Sequence, residues 1–127
     1  RLYLDQHFIA GIGNYLRSEI LFFSELHYGA RPMHLSAPRL EHLARQTLAV
    51  TKRAYHTGGI TNGRTQIAAR RAGGETRRRN LRHAVFDRAA RPCERCGNTI
   101  QRVDIDFRRL YFCPGCQRPA PGDDDAH

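Results

Sequence analysis

Four cysteines constrain this chain more than any other feature: Cys93-Glu94-Arg95-Cys96, then sixteen residues, then Cys113-Pro114-Gly115-Cys116. They are all the cysteines in the 127-residue sequence, and two Cys-x2-Cys pairs bring four thiolates to the corners of one tetrahedral Zn²⁺ site. Gly97 after the first pair and Pro114-Gly115 inside the second free the backbone to curl, so that both sulfurs of a pair face one ion. Between the pairs, residues 99–105 alternate with period two and Leu110-Tyr111-Phe112 is short and aromatic. This predicts a β-hairpin with its tip near Asp106-Phe107-Arg108-Arg109. Two disulfides are the alternative, and the lack of any secretory pattern argues against them. Four cysteine ligands leave no open coordination position, so the zinc is structural and function has to sit on what the hairpin carries.

The charge balance points to a polyanionic partner. Lys and Arg number 21 against 12 Asp and Glu, giving a net charge of +9. Twenty of the 21 are Arg, Lys52 being the exception; guanidinium forks suit bidentate phosphate contacts, although codon bias gives the same count. No apolar run reaches the length of a membrane span and no signal-like pattern opens the chain, so a soluble cytoplasmic protein is expected. The sequence opens on Arg1 in mid-pattern, which suggests a portion of something longer.

In chain order, residues 4–10 read as a short helical turn capped by Asp5 and broken at Gly11-Ile12-Gly13. Asn14 is the expected N-cap of an amphipathic helix over residues 14–26, with Leu16, Ile20, Phe23 and Leu26 on one side and Arg17, Ser18 and Glu25 on the other. A helix beginning at a glycine bend exposes free N–H groups that can seat a phosphate, or it is a plain helix start. Residues 27–35 form a connection. Ser36 then caps a second helix with Pro38 in its first turn and an apolar stripe of Leu40, Leu43, Ala44, Thr47, Leu48, Thr51, Ala54 and Tyr55, stopped at Gly58-Gly59. The histidines show no spacing toward the cysteines and read as surface or packing residues.

The expected organisation is a helix-two-turn-helix module over residues 1–62, an Arg-rich linker over 63–84, a four-cysteine zinc finger over 85–119 and a disordered acidic tail over 120–127. The fold class is thus mainly α with a small β zinc hairpin. From residue 63 to 92 periodicity is lost among nine Arg and two acidic residues. Arg77-Arg78-Arg79 and Arg82 suit either a solvated segment or a strap along a phosphate backbone.

The stretch Leu4-Asp5-Gln6-His7-Phe8-Ile9-Ala10-Gly11-Ile12-Gly13-Asn14-Tyr15-Leu16-Arg17-Ser18-Glu19-Ile20-Leu21, a long helix and the terminal Cys-x2-Cys-x16-Cys-x2-Cys hairpin resemble the C-terminal half of the formamidopyrimidine-DNA glycosylase/endonuclease VIII family. Asn-Tyr-Leu-Arg after the glycines is similar to the endonuclease VIII branch. The resemblance implies a bifunctional glycosylase/AP lyase of base excision repair, a nucleoid-associated monomer acting on oxidised bases, pyrimidines by its branch, in damaged double-stranded DNA. By the same resemblance Asn14 binds a DNA phosphate. Arg108, five residues before Cys113, grips the phosphate at the damaged nucleotide and assists δ-elimination. Where the family has a small residue or Pro next to it, this chain has Arg109, which can share the role. The family's N-terminal Pro nucleophile, adjacent Glu and first-domain Lys have no counterpart here, so the chain reads as the DNA-binding, zinc-bearing part of such an enzyme, inactive without the N-terminal catalytic domain. The alternative class is a stand-alone zinc-ribbon module that binds nucleic acid without catalysis.

Overall fold

The computed structural model describes residues 6–105 and 107–120, with side chains from residue 13 onward except Pro32. Helix α1 (Gln6–Phe23), a 3₁₀ turn (Pro32–His34), α2 (Ala37–Thr57), α3 (Arg64–Ala72), a second 3₁₀ turn (Arg78–Asn80), β1 (Gln101–Ile105) and β2 (Arg108–Phe112) follow in order. No helix among the described residues is long and apolar enough to cross a membrane. The expected Asp5 cap, the Asp106 part of the hairpin tip and the acidic tail lie outside the described residues.

Helix α1 differs from expectation at its start. It runs unbroken through Gly11 and Gly13, so Asn14 lies inside the helix rather than at its N-cap. An interior glycine costs a helix only about 1 kcal/mol relative to Ala, and the packing of α1 on both sides outweighs that. The helix also stops earlier than expected, at Phe23 rather than Leu26. Glu25 there adopts a left-handed φ of 58°. The Glu25 N–H donates to the Phe22 carbonyl at 3.0 Å and the Leu26 N–H to the Leu21 carbonyl at 3.0 Å, a Schellman termination that tucks Leu26 into the interior.

Two apolar clusters share α1. Leu16 packs with Val50 and Ala54 of α2, flanked by Tyr15, Ile20 and Phe23. Phe22 packs with Val85, Cys93, Ile100, Tyr111 and Cys113 of the C-terminal region. Helix α2 has the expected ends: Ser36 caps it through Oγ, which accepts from the Arg39 N–H at 3.4 Å, and Gly58 closes it at φ 72°. Its stripe is phased differently from expectation. Val50 and Ala54 are buried, whereas Leu40, Leu48 and Tyr55 stand 44%, 62% and 79% exposed. One apolar stripe fits two neighbouring faces of a 3.6-residue helix, and the partner α1 selects the face.

The segment expected as a linker is structured. It contains α3, and Arg70 of α3 is spent inside the molecule: it donates to both Glu94 carboxylate oxygens at 2.7 Å, to the Asn80 carbonyl at 3.1 Å and to the His83 carbonyl at 2.8 Å. Arg78 donates to the Thr57 carbonyl at the C-terminal end of α2 at 2.6 Å. Arg53 does the same to the Thr61 carbonyl at 3.0 and 2.8 Å. These guanidinia satisfy backbone carbonyls that would otherwise be orphaned.

The join between the two regions is polar and buried. Glu19, 0% exposed, was not marked as interior by its sequence neighbours. Its carboxylate accepts from the Thr61 hydroxyl at 2.7 Å and from the backbone N–H groups of Ala84, Val85 and Phe86 at 2.7, 2.7 and 3.0 Å. Because the Thr61 hydroxyl proton goes to Glu19, the 2.8 Å contact of Thr61 Oγ1 with His83 Nδ1 has the ring N–H as donor. Burial, reinforced by Arg82 and Arg70, holds His83 down at about 3 from the ordinary histidine value of 6.5. Ser18, expected on the solvent side, is also buried, and its Oγ accepts from the Tyr111 N–H at 3.0 Å.

The hairpin pairs β1 with β2 antiparallel, from Gln101↔Phe112 to Ile105↔Arg108. Arg108 and Arg109 are therefore strand residues adjoining a two-residue tip, and not part of the tip itself.

Two outcomes follow. Glu19→Ala leaves one buried and two part-buried N–H groups without an acceptor and should cost about 3–5 kcal/mol in denaturant unfolding, against about 1 kcal/mol for Thr61→Val. His83 in the unfolded chain takes its proton near 6.5, and in the folded chain only near 3. Stability present above pH 6.5 should therefore fall by up to about 1.4 kcal/mol per pH unit below it. That slope, measured between pH 6.5 and 5.5 with zinc in excess, should be missing from a His83→Asn chain.

Candidate metal centre and nucleic-acid interface

The four sulfurs of Cys93, Cys96, Cys113 and Cys116 lie within 4.8 Å of one another. The Cys93–Cys116 and Cys96–Cys113 Sγ separations are 3.8 and 3.3 Å. A tetrahedral ion with Zn–S bonds of about 2.3 Å sets its sulfurs about 3.8 Å apart, so the cluster fits one zinc. Backbone N–H groups of Arg95 and Cys116 approach the Sγ atoms of Cys93 and Cys113 at 3.4 Å each, and the Asn98 amide approaches Cys96 Sγ at 3.3 Å. Hydrogen bonding from Asn98 brings the Cys96 thiol down to about 6, while burial pushes Cys113 and Cys116 up. Metal binding therefore has to displace protons from the buried side of the cluster.

The glycines of the two turns work differently from each other. Gly97 has φ 85°, as the tight-turn reading expects. Gly115 shows no positive φ. A side chain there would run into the Asn98 amide and come within 2.8 Å of Cys96 Sγ. Its role is to let the second turn approach the first turn's ligand.

The zinc unit is bound to the end of α1 by residues that sequence reading passed over. Gln117, 1% exposed, accepts from the Cys113 N–H at 2.8 Å and donates to the Leu26 carbonyl at 3.0 Å. Arg95, inside the first Cys-x2-Cys, lies over the Phe22 ring at 4.7 Å and pairs with Glu25 at 3.2 Å. A glutamine directly after a Cys-Pro-Gly-Cys turn was a visible signal, but its partner is 91 residues away.

The basic residues of α1 and β2 meet at one surface. Ser18 fixes Tyr111 of β2 to α1, and the neighbouring Arg17 is close enough to Arg108 to feel its charge. The Arg17 guanidinium is lowered first by burial and then by Arg108. Asn14 is three residues before Arg17 on α1, hence on the same face. Arg108 is exposed. Arg109 faces Asp104 across the ladder with a separation of 3.7 Å, so it has an internal counter-charge. Arg17 was not singled out from sequence, because its proximity to Arg108 depends on the docking of the hairpin.

The formamidopyrimidine-DNA glycosylase H2TH domain model matches residues 1–66, more than half of the chain. The chain belongs to this family. The zinc finger found in FPG and IleRS matches residues 91–119 and contains all four cysteines. Endonuclease 8 of Klebsiella pneumoniae (strain 342) is 39% identical over 116 residues, 91% of this chain and 40% of that protein. Endonuclease 8 of Escherichia coli O17:K52:H18 (strain UMN026 / ExPEC) is 40% identical over the same shares. The chain thus spans about 40% of the length of the curated relatives it matches. Among solved structures, MutM (Fpg) from Thermus thermophilus aligns with a TM-score of 0.65 at 28% identity, covering 86% of this chain and 40% of that one. Lactococcus lactis Fpg, in complex with DNA containing an abasic site, aligns with a TM-score of 0.65 at 25% identity over 84% of this chain and 36% of its own.

Removing zinc should unfold the C-terminal unit, since such sites supply on the order of 10 kcal/mol to folding. Gly115→Ala should push the Asn98 amide off Cys96 and weaken zinc binding roughly 10- to 100-fold, the usual effect of losing a supporting contact around a metal ligand. Competition against a chromophoric chelator reads both.

Proposed function

We propose that this chain is the DNA-binding and zinc-bearing part of a base-excision-repair glycosylase/AP lyase of the endonuclease VIII type, acting on oxidised bases, with pyrimidines the substrates its branch implies. The observation that carries the reading is the approach of Arg17 on α1 to Arg108 on β2, held by the Ser18–Tyr111 bond, with Asn14 one turn before Arg17 on the same helix. An amide and two guanidinia on one surface suit the phosphates of a damaged strand. Support comes from the relatives: the similar chains are named Endonuclease 8, and the Lactococcus Fpg was solved on abasic-site DNA.

In this reading Asn14 donates to a backbone phosphate from within α1. Arg108 holds the phosphate at the damaged nucleotide, where its fixed positive charge stabilises the phosphate leaving group of δ-elimination. Arg109, drawn toward Asp104, has the secondary part. The zinc takes no part in the chemistry: four cysteine ligands leave it closed, and it serves to hold β2 and Arg108 rigid. The protein works as a monomer on duplex DNA, with the glycosylase nucleophile supplied by an N-terminal catalytic domain.

Forming an imine at C1′ needs an uncharged amine fixed against the sugar. Within these 127 residues the one lysine, Lys52, is exposed on α2 and well placed to stay solvated, and Arg side chains remain protonated. The chain by itself should therefore not be trapped by borohydride on an abasic-site duplex. A covalent adduct that disappears in Lys52→Ala would overturn this assignment.

Binding is tested by titration across salt. Asn14→Ala and Arg108→Ala should each cost roughly 1–3 kcal/mol on an abasic-site duplex, and the Arg change should also reduce the salt slope by about 1. Unchanged binding by both variants would remove the proposed interface.

A further inference from the structure

Phe107 stands at the hairpin tip with its side chain fully exposed, so the described residues cover none of the ring. Its backbone is in the left-handed region at φ 64°, a conformation that glycine adopts freely and a bulky aromatic residue does not. Folding gains no buried area from a phenylalanine in that place, and a glycine there would suit the turn better. The use of the ring therefore lies outside the chain.

Its surroundings identify the occupant. Phe107 directly precedes Arg108, and exposed Arg102 and Arg109 stand on the same hairpin. Arg17 approaches from α1. A cluster of guanidinia attracts a polyanion and repels a basic partner, and on the DNA-binding reading above that polyanion is nucleic acid. With Arg108 on a phosphate, the side chain one residue away reaches the sugar and the base edge attached to that phosphate. The strand behind the tip is also anchored. Its Leu110, Tyr111 and Phe112 are buried, and Tyr111 is bonded to α1.

We infer that Phe107 is an apolar wedge that stacks against a nucleobase at the step gripped by Arg108, and that it favours a step already unstacked by damage. Exposed aromatic and apolar side chains open base steps in this way, and the cost is least where pairing is already broken. The inference rests on the DNA-binding reading above and adds a determinant of lesion preference carried by the zinc hairpin.

The chain has no tryptophan, so Phe107→Trp places a single reporter at the tip. The zinc-loaded 127-residue chain and its variants are titrated with a duplex carrying a tetrahydrofuran abasic site and with the intact duplex of the same sequence. Tryptophan emission should be quenched by the abasic duplex, and more than by the intact one. Phe107→Ala and Phe107→Gly should weaken binding to the abasic duplex about tenfold and narrow its advantage over the intact duplex. The slope of log K against log salt should stay unchanged, since no charge is lost. Phe107→Gly fits the positive φ, so loss of binding in that variant cannot come from a damaged turn. If the unaltered chain binds neither duplex, the DNA-binding reading and the wedge fail together. If it binds with a steep salt slope while both truncations bind equally well, or the tryptophan emission is unmoved, the wedge alone fails.

Discussion

The buried carboxylate of Glu19 is the constraint on which the rest of the molecule depends. It sits in the C-terminal third of α1 with no solvent contact, and four donors converge on it from two distant parts of the chain. A buried charge is tolerable only when its lone pairs are matched, and here three consecutive backbone N–H groups and a hydroxyl match them. The consequence is geometric. Residues 84–86, which lead into the zinc unit, are fixed against α1, and Val85 drops into the same cluster as Phe22 and Cys113. Removing the carboxylate would leave backbone donors in an apolar setting, so the alternatives to this docking are penalised as well.

That docking gives the arginines two separate uses. Arg53, Arg70 and Arg78 are committed to backbone carbonyls or to Glu94, and their charge helps hold helices and turns together. Arg17 and Arg108 are instead brought together at the surface, where two like charges raise the free energy of the isolated chain slightly. Like charges held close by a rigid scaffold are suited to an anion that neutralises both. A high count of arginine thus covers both internally bonded and surface-clustered guanidinia, and the count alone cannot divide them.

The zinc centre repeats this logic at smaller scale. A two-stranded hairpin has too little core to fold alone, and a metal with four thiolates supplies what is missing. The second turn fits because Gly115 has no side chain to strike Asn98 and Cys96. Gln117 and Arg95 then tie the closed unit to the last turn of α1, so metal binding stabilises the position of Arg108 as well as the hairpin itself.

Much was legible in the residues themselves. The cysteine spacing, the hairpin alternation, the Ser36 and Gly58 ends of α2 and the family pattern around Asn14 are local signals, carried by residues within a few positions of each other. Local chemistry suffices there because caps, turns and metal spacing are satisfied by near neighbours. What the sequence could not settle depended on partners far along the chain. Whether Gly11 and Gly13 end a helix, which stripe of α2 is buried, that Ser18 and Glu19 face inward, and that Arg64–Ala72 is a helix fastened by Arg70 were all decided in three dimensions. The reason is energetic: each of these choices lies within about a kilocalorie per mole in local propensity, so contacts formed across tens of residues settle them.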